Sequence, residues 1–344
     1  MTKIKNRLDY IDILNILSSF AVVVMHCSGM AFQYEPTFSW KLSIVLQSIS
    51  HFAVPVFFMI TGATLLEYRK KYDTGEFFKK RFLKTGLPFI FWSVFYIFFK
   101  YYMGIIEMPT FVGGVKMILS NSVLNIFWFF YEIFGIYLAM PFLSLLAEKK
   151  NMKEIKYFVL LFFAFRACLP LFSSNVAYVT GYLIPAVTSG SIGYLFLGYI
   201  IKHEDFSKFK RFLIYCFGFL GLLIMIFGTI RLSLKNGKID KTFFDYMSIG
   251  CMPYSAGIML FIKHLNYNRL YKVIPQKVIV AISSTCFSVY ILHMAFIMIR
   301  NNIECIMEQN EVLLMTLTPI IVYTICVLIS LIVKKIPILK HLMP

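Results

Sequence analysis

The segment that decides the fold is Tyr10–Phe32, which reads YIDILNILSSFAVVVMHCSGMAF. A helix needs about 20 predominantly apolar residues to cross the hydrocarbon core of a bilayer, and this segment has that length. Similar apolar segments recur along the whole chain. About ten candidate transmembrane helices result: Tyr10–Phe32, Leu42–Tyr68, Leu87–Ile106, Asn125–Ala147, Tyr157–Phe172, Tyr182–Ile201, Phe212–Ile230, Phe243–Ile262, Val278–Ile299 and Leu313–Val333.

The composition indicates a membrane protein along its full length. Of the 344 residues, 59% are hydrophobic and only 15% are charged, whereas soluble domains carry about 25% charged residues. The mean hydropathy is +0.74. No hydrophilic stretch is long enough for a separate soluble domain. Residues 1–344 are therefore predicted to form a single all-α integral membrane domain, a polytopic helical bundle.

The net charge of +17 has a topological explanation. If both termini lie in the cytoplasm, Lys and Arg favour the inner segments over the outer ones by roughly three to one. This bias predicts cytoplasmic termini and needs no nucleic-acid partner. The cysteines show no paired or metal-like spacing, so no metal site is predicted. Six of the seven lie inside the predicted spans and Cys305 lies between the last two: Cys27, Cys168, Cys216, Cys251, Cys286 and Cys326 are the six.

The first segment carries a polar stripe. Asp12, Asn15, Ser19 and His26 fall within an arc of roughly 60° on an α-helix. A charge at membrane depth costs about 3 kcal/mol or more, so an ionisable residue there is a candidate functional residue. A neutral imidazole in a dry site can take a proton from a hydroxyl and return it. The catalytic candidates are His26, Asp12 and Asn15, and the alternative is a stripe that only joins helices.

The second segment has a histidine beside a proline. Pro55 cannot donate a hydrogen bond to the carbonyl of His51, four residues earlier. A broken helix with a free carbonyl beside a histidine would form the wall of a site, and the alternative is a kink around a packed side chain. Further along, Thr61-Gly62 would let a neighbouring helix or a narrow ligand chain come close.

Basic and aromatic residues alternate between the second and third segments. The stretch Phe77-Phe-Lys-Lys-Arg-Phe-Leu-Lys84 predicts a short amphipathic helix at the inner membrane interface. Contact with anionic lipid is one role for it. Binding the phosphates of a cytosolic nucleotide-like donor is the other role. The candidate donor-binding residues are Lys79, Lys80, Arg81, Lys84, Thr61 and Gly62.

Other polar residues within apolar segments are candidates for substrate binding. For His293, a structural hydrogen bond is the competing interpretation. The candidates are His51, Trp128, Glu132, Arg166 and His293.

Taken in order, several stretches resemble the acyltransferase-3 family of integral membrane acyltransferases, in particular its bacterial surface-polysaccharide O-acetyltransferase branch. The similarity covers nearly the whole chain. The stretches that carry it are Tyr10-Ile-Asp12 through His26-Cys-Ser-Gly29, Val54-Pro-Val-Phe-Phe-Met-Ile-Thr-Gly62, Phe78-Lys-Lys-Arg81 to Pro88, Phe127-Trp-Phe-Phe-Tyr131 with Gly135-Ile-Tyr-Leu138 and Pro141, and Ile282-Ser-Ser284 with Phe287-Ser-Val-Tyr-Ile-Leu-His293.

The resemblance implies a multi-pass enzyme of the cell membrane. It would transfer an acetyl or other acyl group from cytosolic acyl-CoA to a hydroxyl of a cell-surface polysaccharide or its lipid-linked precursor. Acyl-CoA would be a co-substrate, with no permanently bound cofactor. His26 matches the family's essential histidine, and the residues from Lys79 to Lys84 match its donor-binding loop.

One position departs from the family pattern. Many members have Arg or Lys eleven residues before the histidine, where this chain has Asn15. The change implies a different donor contact, compensation by Arg166, or lost catalysis. Two other classes of function stay open, a transporter of a polar solute or glycan and a non-catalytic membrane scaffold. A transporter predicts internal repeats with paired broken helices, and none is evident.

Overall fold

The structure is a computed structural model that describes residues 8–168, 171, 190–301, 310–337 and 339–343. Within these ranges the chain folds into helices and turns, with no β-strand, so the all-α prediction is confirmed there. The helices of the first half are α1 to α8: Asp9–Cys27, Phe38–Ser50, Ala53–Leu65, Thr74–Arg81, Leu87–Tyr102, Phe111–Leu119, Trp128–Leu146 and Met152–Phe163.

The helices of the second half are α9 to α16: Ile192–His203, Lys208–Leu223, Thr229–Asn236, Cys251–Lys263, Tyr267–Val273, Gln276–Ser284, Cys286–Asn301 and Glu311–Val333. Within the described ranges, three π-helical segments extend α-helices, and such segments are frequent at functional sites. Phe82–Gly86 joins α4 to α5, Ala164–Cys168 follows α8, and Ile224–Gly228 joins α10 to α11.

In the described residues, six helical stretches are long and apolar enough to cross a membrane, or up to seven if α14 and α15 count as one bent span. These two helices meet at an angle of 55°. The chain is therefore a multi-pass membrane protein. Two of the predicted spans, Tyr157–Phe172 and Tyr182–Ile201, extend beyond the described residues. A total of about ten spans and cytoplasmic termini stay predictions.

The predicted span Phe243–Ile262 does not form a single long helix. Its first part is a series of turns, and only α12, with 13 residues, is helical. The polar side chains of this part explain the break, since they bind backbone N–H groups that a helix would use. The Asp245 carboxylate accepts a hydrogen bond from the N–H of Met247 at 2.7 Å, and the Ser248 hydroxyl oxygen accepts one from the N–H of Cys251 at 3.2 Å.

The basic stretch between the second and third predicted spans is helical, as predicted. Asp73 caps α4 by accepting a hydrogen bond from the backbone N–H of Glu76 at 2.8 Å. Through the π-helical segment, α4 and α5 form one stretch of 29 residues, Thr74–Tyr102. At 1.5 Å per residue this stretch is about 43 Å long, more than the ~30 Å hydrocarbon core, so its basic end can extend beyond the core.

The chain divides into two compact units. The first contains Met1–Leu66 and Ala147–Leu331, and the second contains Glu67–Leu146 and Ile332–Pro344. In the first unit, α3 packs tightly on α9. A Cβ atom added at Gly62 would lie 1.9 Å from the Leu195 carbonyl oxygen, and one at Gly198 would lie 2.0 Å from that of Met59. Only glycine permits this approach of two backbones, which is common between membrane helices.

Aromatic rings form much of the core of the second unit. The ring of Phe89 packs on those of Phe127 and Phe130, with centroids 5.7 and 5.2 Å away. Arg69 links the start of this unit to α7, because its Nε donates to the Ser144 hydroxyl at 2.9 Å.

Candidate active site

His26 lies in the last turn of α1, and a side chain of α2 fixes that turn. The carbonyls at the end of a helix lack partners within the helix. The Gln47 amide donates to two of them, the carbonyl of Met25 and, at 3.2 Å, that of Ser28. The hydroxyl of Ser28 donates to the Val24 carbonyl at 2.7 Å. The backbone on both sides of His26 is therefore held by buried hydrogen bonds.

The second histidine of the site is His293, on α15. Its ring centroid lies 5.2 Å from that of His26, with the two ring planes tilted by 36°. The Nδ1 atom of His293 bonds the Val289 carbonyl at 3.0 Å. Because a carbonyl only accepts, Nδ1 carries the proton and Nε2 is left as an acceptor.

The two rings differ in burial. The side chain of His293 has 0% exposure, and among the described residues its Nε2 has no hydrogen-bond partner. His26 is only partly buried. A buried acceptor without a partner is costly, and in a native protein it often marks a functional group. The arrangement places a buried acceptor beside a partly buried imidazole.

Two tyrosines lie around this pair. The ring of Tyr290 has its centroid 6.1 Å from that of His293. Tyr246 directs its hydroxyl at the sulfur of Met25, 3.9 Å away. On its other side Tyr246 packs against His51, at 5.0 Å between centroids. The aromatic rings give the site an apolar wall with hydroxyl groups.

The N-terminal half of the α1 stripe, which is the inner half in the predicted topology, lies apart from the outer half that holds His26. Asn15 is eleven residues before His26, or about 16 Å along the helix axis. Its amide donates to the Ser283 hydroxyl of α14 at 3.4 Å. Ser19 shares a hydrogen bond of 3.3 Å with the hydroxyl of Tyr323 on α16. The stripe faces protein along its length, as predicted, but Asn15 does not lie beside His26.

Asp12 lies in the first turn of α1. It is buried, with 4% exposure. Its neighbour Asp9 accepts a hydrogen bond from the Gln276 amide at 3.0 Å. Burial, a hydrogen bond to Asp9 and the charges of both carboxylates raise the pKa of Tyr271 on α13. Asp12 therefore lies with the helices that pack on the first turns of α1, and its catalytic role stays a prediction.

His51 is a packed histidine at a helix break. Helix α2 ends before it, and Pro55 is the third residue of α3. The carbonyl that Pro55 cannot use accepts the thiol of Cys251, with the sulfur 3.7 Å away. The Nδ1 atom of His51 bonds the Gln47 carbonyl at 2.9 Å. The freed carbonyl thus has a partner, and His51 contacts the site through Tyr246.

Thr61 and Gly62 lie where α3 meets α9. The open side of Gly62 is filled by the backbone of Leu195, so the close neighbour at this glycine is a helix. The hydroxyl of Thr61 donates to the Phe57 carbonyl of its own helix at 2.9 Å. A role for these two residues in binding the donor stays a prediction.

The four basic residues of the candidate donor loop differ in their surroundings. Lys79 and Lys84 are exposed. Lys80 pairs with Glu76 at 3.4 Å and lies over the ring of Tyr72. Arg81 is partly buried and lies 5.8 Å from the ring centroids of Phe77 and Tyr137. Its Nε has no hydrogen-bond partner in the described part of the chain.

The remaining candidates belong to different units. Trp128, with 37% exposure, and Glu132 lie in the first two turns of α7, in the second unit. Arg166 lies in the first unit, on the π-helical segment after α8. It is near enough to Tyr194 for its charge to act on that hydroxyl. The roles of these residues in substrate binding stay predictions.

The sequence did not single out Gln47 or Tyr246, which both belong to the site. Gln47 is a polar residue inside a predicted apolar span, and that signal could have found it. Tyr246 lies in turns between helices, where no pattern marks it.

These features define a multi-pass helical membrane protein with a histidine pair between α1 and α15. No group of three metal-ligating side chains occurs in the described ranges. A model of the acyltransferase-3 family, described as an acyltransferase domain, matches residues 8–334. The chain therefore belongs to the acyltransferase-3 family, which supports a membrane acyltransferase. Neither the curated proteins nor the solved structures contain a match to this chain.

Proposed function

We propose that this protein transfers an acetyl or other acyl group from cytosolic acyl-CoA to a hydroxyl of a cell-surface polysaccharide or its lipid-linked precursor, at the plasma membrane. The observation that carries the proposal is the histidine pair. His26 is partly buried. Its ring centroid lies 5.2 Å from that of His293, whose Nε2 is a buried acceptor without a partner among the described residues. Family membership supplies the reaction class.

In the proposed reaction His26 acts as a general base. It takes the proton of the acceptor hydroxyl as the oxygen attacks the thioester carbon. A bond forms between this oxygen and the acyl carbon, and the bond between carbon and sulfur breaks. The imidazolium then returns its proton to the departing CoA thiolate. His293, through its Nε2, accepts a hydrogen bond that orients the acceptor or the ring of His26.

A covalent route is the second form of the mechanism. His26 would first take the acyl group from the thioester and then pass it to the hydroxyl. Rapid quenching of purified protein with labelled acetyl-CoA, in the absence of acceptor, separates the two routes. Label that stays on the chain of the wild type but not on His26→Ala supports the relay, and the absence of such label supports direct transfer.

The donor phosphates are proposed to bind the basic residues of α4 and the segment after it. Lys79 and Lys84 are exposed and can form charge-assisted hydrogen bonds with phosphate oxygens. The double variant Lys79→Gln/Lys84→Gln is expected to raise KM for acetyl-CoA by roughly tenfold at nearly constant kcat. The exposed Lys71 gives a matched control, Lys71→Gln. An equal rise in KM for Lys71→Gln would show that Lys79 and Lys84 have no specific role in donor binding.

The decisive experiment uses membranes that contain the full chain. Labelled acetyl-CoA and extracted surface glycan are added, and label in the glycan is followed. His26→Ala is expected to lower transfer by about a thousandfold, whereas His341→Ala, at an exposed histidine, keeps it. Unchanged acetylation by His26→Ala would overturn the role of His26. Movement of glycan across the membrane without any loss of label from acetyl-CoA would favour a transporter.

A further inference from the structure

We propose that a cavity between α10 and α12 binds the phosphate headgroup of an anionic phospholipid. The cavity has a volume of about 320 Å³. It lies in the first unit and does not depend on the acyl-transfer proposal. Its lining includes Lys208, Arg211, Phe212, Tyr215, Phe261 and His264.

The position of the cavity along the helices is that of a membrane boundary. Lys208 is the first residue of a helical stretch of 29 residues, Lys208–Asn236, that is apolar enough to cross a membrane. The N–H of Lys210 donates to the Ser207 hydroxyl at 3.3 Å, which caps this helix end. On the neighbouring helix, α12 ends at Lys263 and His264 caps it. The beginning of one apolar helix and the end of the other thus meet at the cavity.

The charges of the lining favour a phosphate. Lys208 and Arg211 are three residues apart, so they lie on one face of α10. The lining contains no carboxylate. The adjacent Lys263 is already occupied, because its Nζ donates to the carbonyls of Ile201 and Glu204 at 2.7 and 3.1 Å. The two cations of α10 instead border the cavity, where an anion can receive hydrogen bonds from both.

The apolar part of the lining favours a lipid over a free phosphate. Phe212 is 61% exposed and Phe261 is 52% exposed, and both border the cavity. The ring of Tyr215 meets that of Phe261 edge to face at 6.0 Å. Seven residues after Phe212, and therefore on the same face of α10, Phe219 is also 61% exposed. A phospholipid matches both parts of the lining, because its phosphate suits the basic residues and its hydrocarbon chains suit the aromatic ones. Basic sites at the ends of membrane helices bind lipid headgroups in this way.

The test is native mass spectrometry of the full chain in mild detergent, titrated with phosphatidylglycerol or phosphatidylethanolamine of the same acyl chains. The wild type is expected to prefer phosphatidylglycerol. Lys208→Gln/Arg211→Gln should weaken its binding by roughly tenfold. Lys210→Gln/Lys272→Gln removes the same charge from exposed residues outside the lining and should stay within about twofold of the wild type.

Three outcomes would overturn the proposal. One is equal weakening by the two double variants, which would show general attraction to anionic surfaces. Another is equal binding of the two lipids by the wild type. The third is displacement of phosphatidylglycerol by equimolar glycerol phosphate, which would show a site for free phosphate. Lys208 is exposed, so the single variant Lys208→Gln keeps the test usable if the double variant unfolds, with a loss of roughly threefold.

Discussion

The two halves of the polar stripe on α1 differ in how their hydrogen bonds are used. In the inner half, Asn15 bonds Ser283 and Ser19 bonds Tyr323, so these side chains join α1 to α14 and α16. In the outer half, His26 faces His293, whose Nε2 has no partner within the described residues. The sequence predicts catalytic candidates in both halves. Polarity at membrane depth therefore indicates contact with protein, and a buried unsatisfied atom is the sharper sign of a site.

The largest expected effect comes from the outer half. His26→Ala should lower the turnover rate by about a thousandfold, within the range for a general acid or base. His293→Gln, which keeps an amide acceptor, should lower it by about a hundredfold. The double variant should be no slower than His26→Ala alone, because the residues act as a unit. Initial rates with labelled acetyl-CoA measure all three. If the two losses multiply in the double variant, the histidines act independently, and the proposal that they act as a unit is wrong.

The next prediction concerns the stability of Gly62→Ala, which tests whether Gly62 is needed for helix packing or for ligand binding. Gly62→Ala brings a methyl group onto the Leu195 carbonyl, and such overpacking costs about 1–3 kcal/mol or more. We expect a lower midpoint of thermal unfolding in detergent and an unchanged KM for the donor in the folded fraction. Gly135→Ala is the matched control, since no atom lies within 4 Å of its added Cβ. A stable Gly62→Ala with a raised KM would instead place the donor at Gly62.

A smaller loss of turnover is expected when the Gln47 amide, which holds the end of α1, is removed. Gln47→Leu leaves the Met25 and Ser28 carbonyls without a donor, at a cost of about 1–3 kcal/mol. Turnover should fall by roughly tenfold because the His26 ring is less well placed. Circular dichroism on heating and initial rates measure the two effects. The exposed Gln33 supplies the control, Gln33→Leu, and full activity in Gln47→Leu would show that α2 does not position the histidine.

The smallest effect is expected in the inner half. Asn15→Ala removes one hydrogen bond between helices, and such bonds in membranes average about 0.6 kcal/mol. Turnover should change by less than about threefold, since the residue lies about 16 Å from His26 along α1. The same assay with Ser19→Ala gives the comparison within the stripe. A loss close to that of His26→Ala would support the predicted catalytic role of Asn15 and erase the difference between the two halves.

Sequence patterns predicted the large features because they are local. The apolar length of α1, the helix of the basic stretch and the position of His26 all depend on residues close together in the chain. The predicted span Phe243–Ile262 was wrong as one helix because hydropathy does not register the turns made by Asp245 and Ser248. Hydropathy counts apolar residues, while the hydrogen bonds of short polar side chains decide where a helix begins.

From its residues alone, this chain is a multi-pass helical protein with a histidine inside its first apolar segment, because apolar length and ionisable groups can be read directly along the sequence. Which polar residues meet depends on the folded chain. His26 and His293 are 267 positions apart in the sequence, and only the packing of α1 on α15 brings their rings to 5.2 Å. The unpartnered Nε2 arises from that packing, since His293 is fully buried and none of the described residues donates a hydrogen bond to this atom.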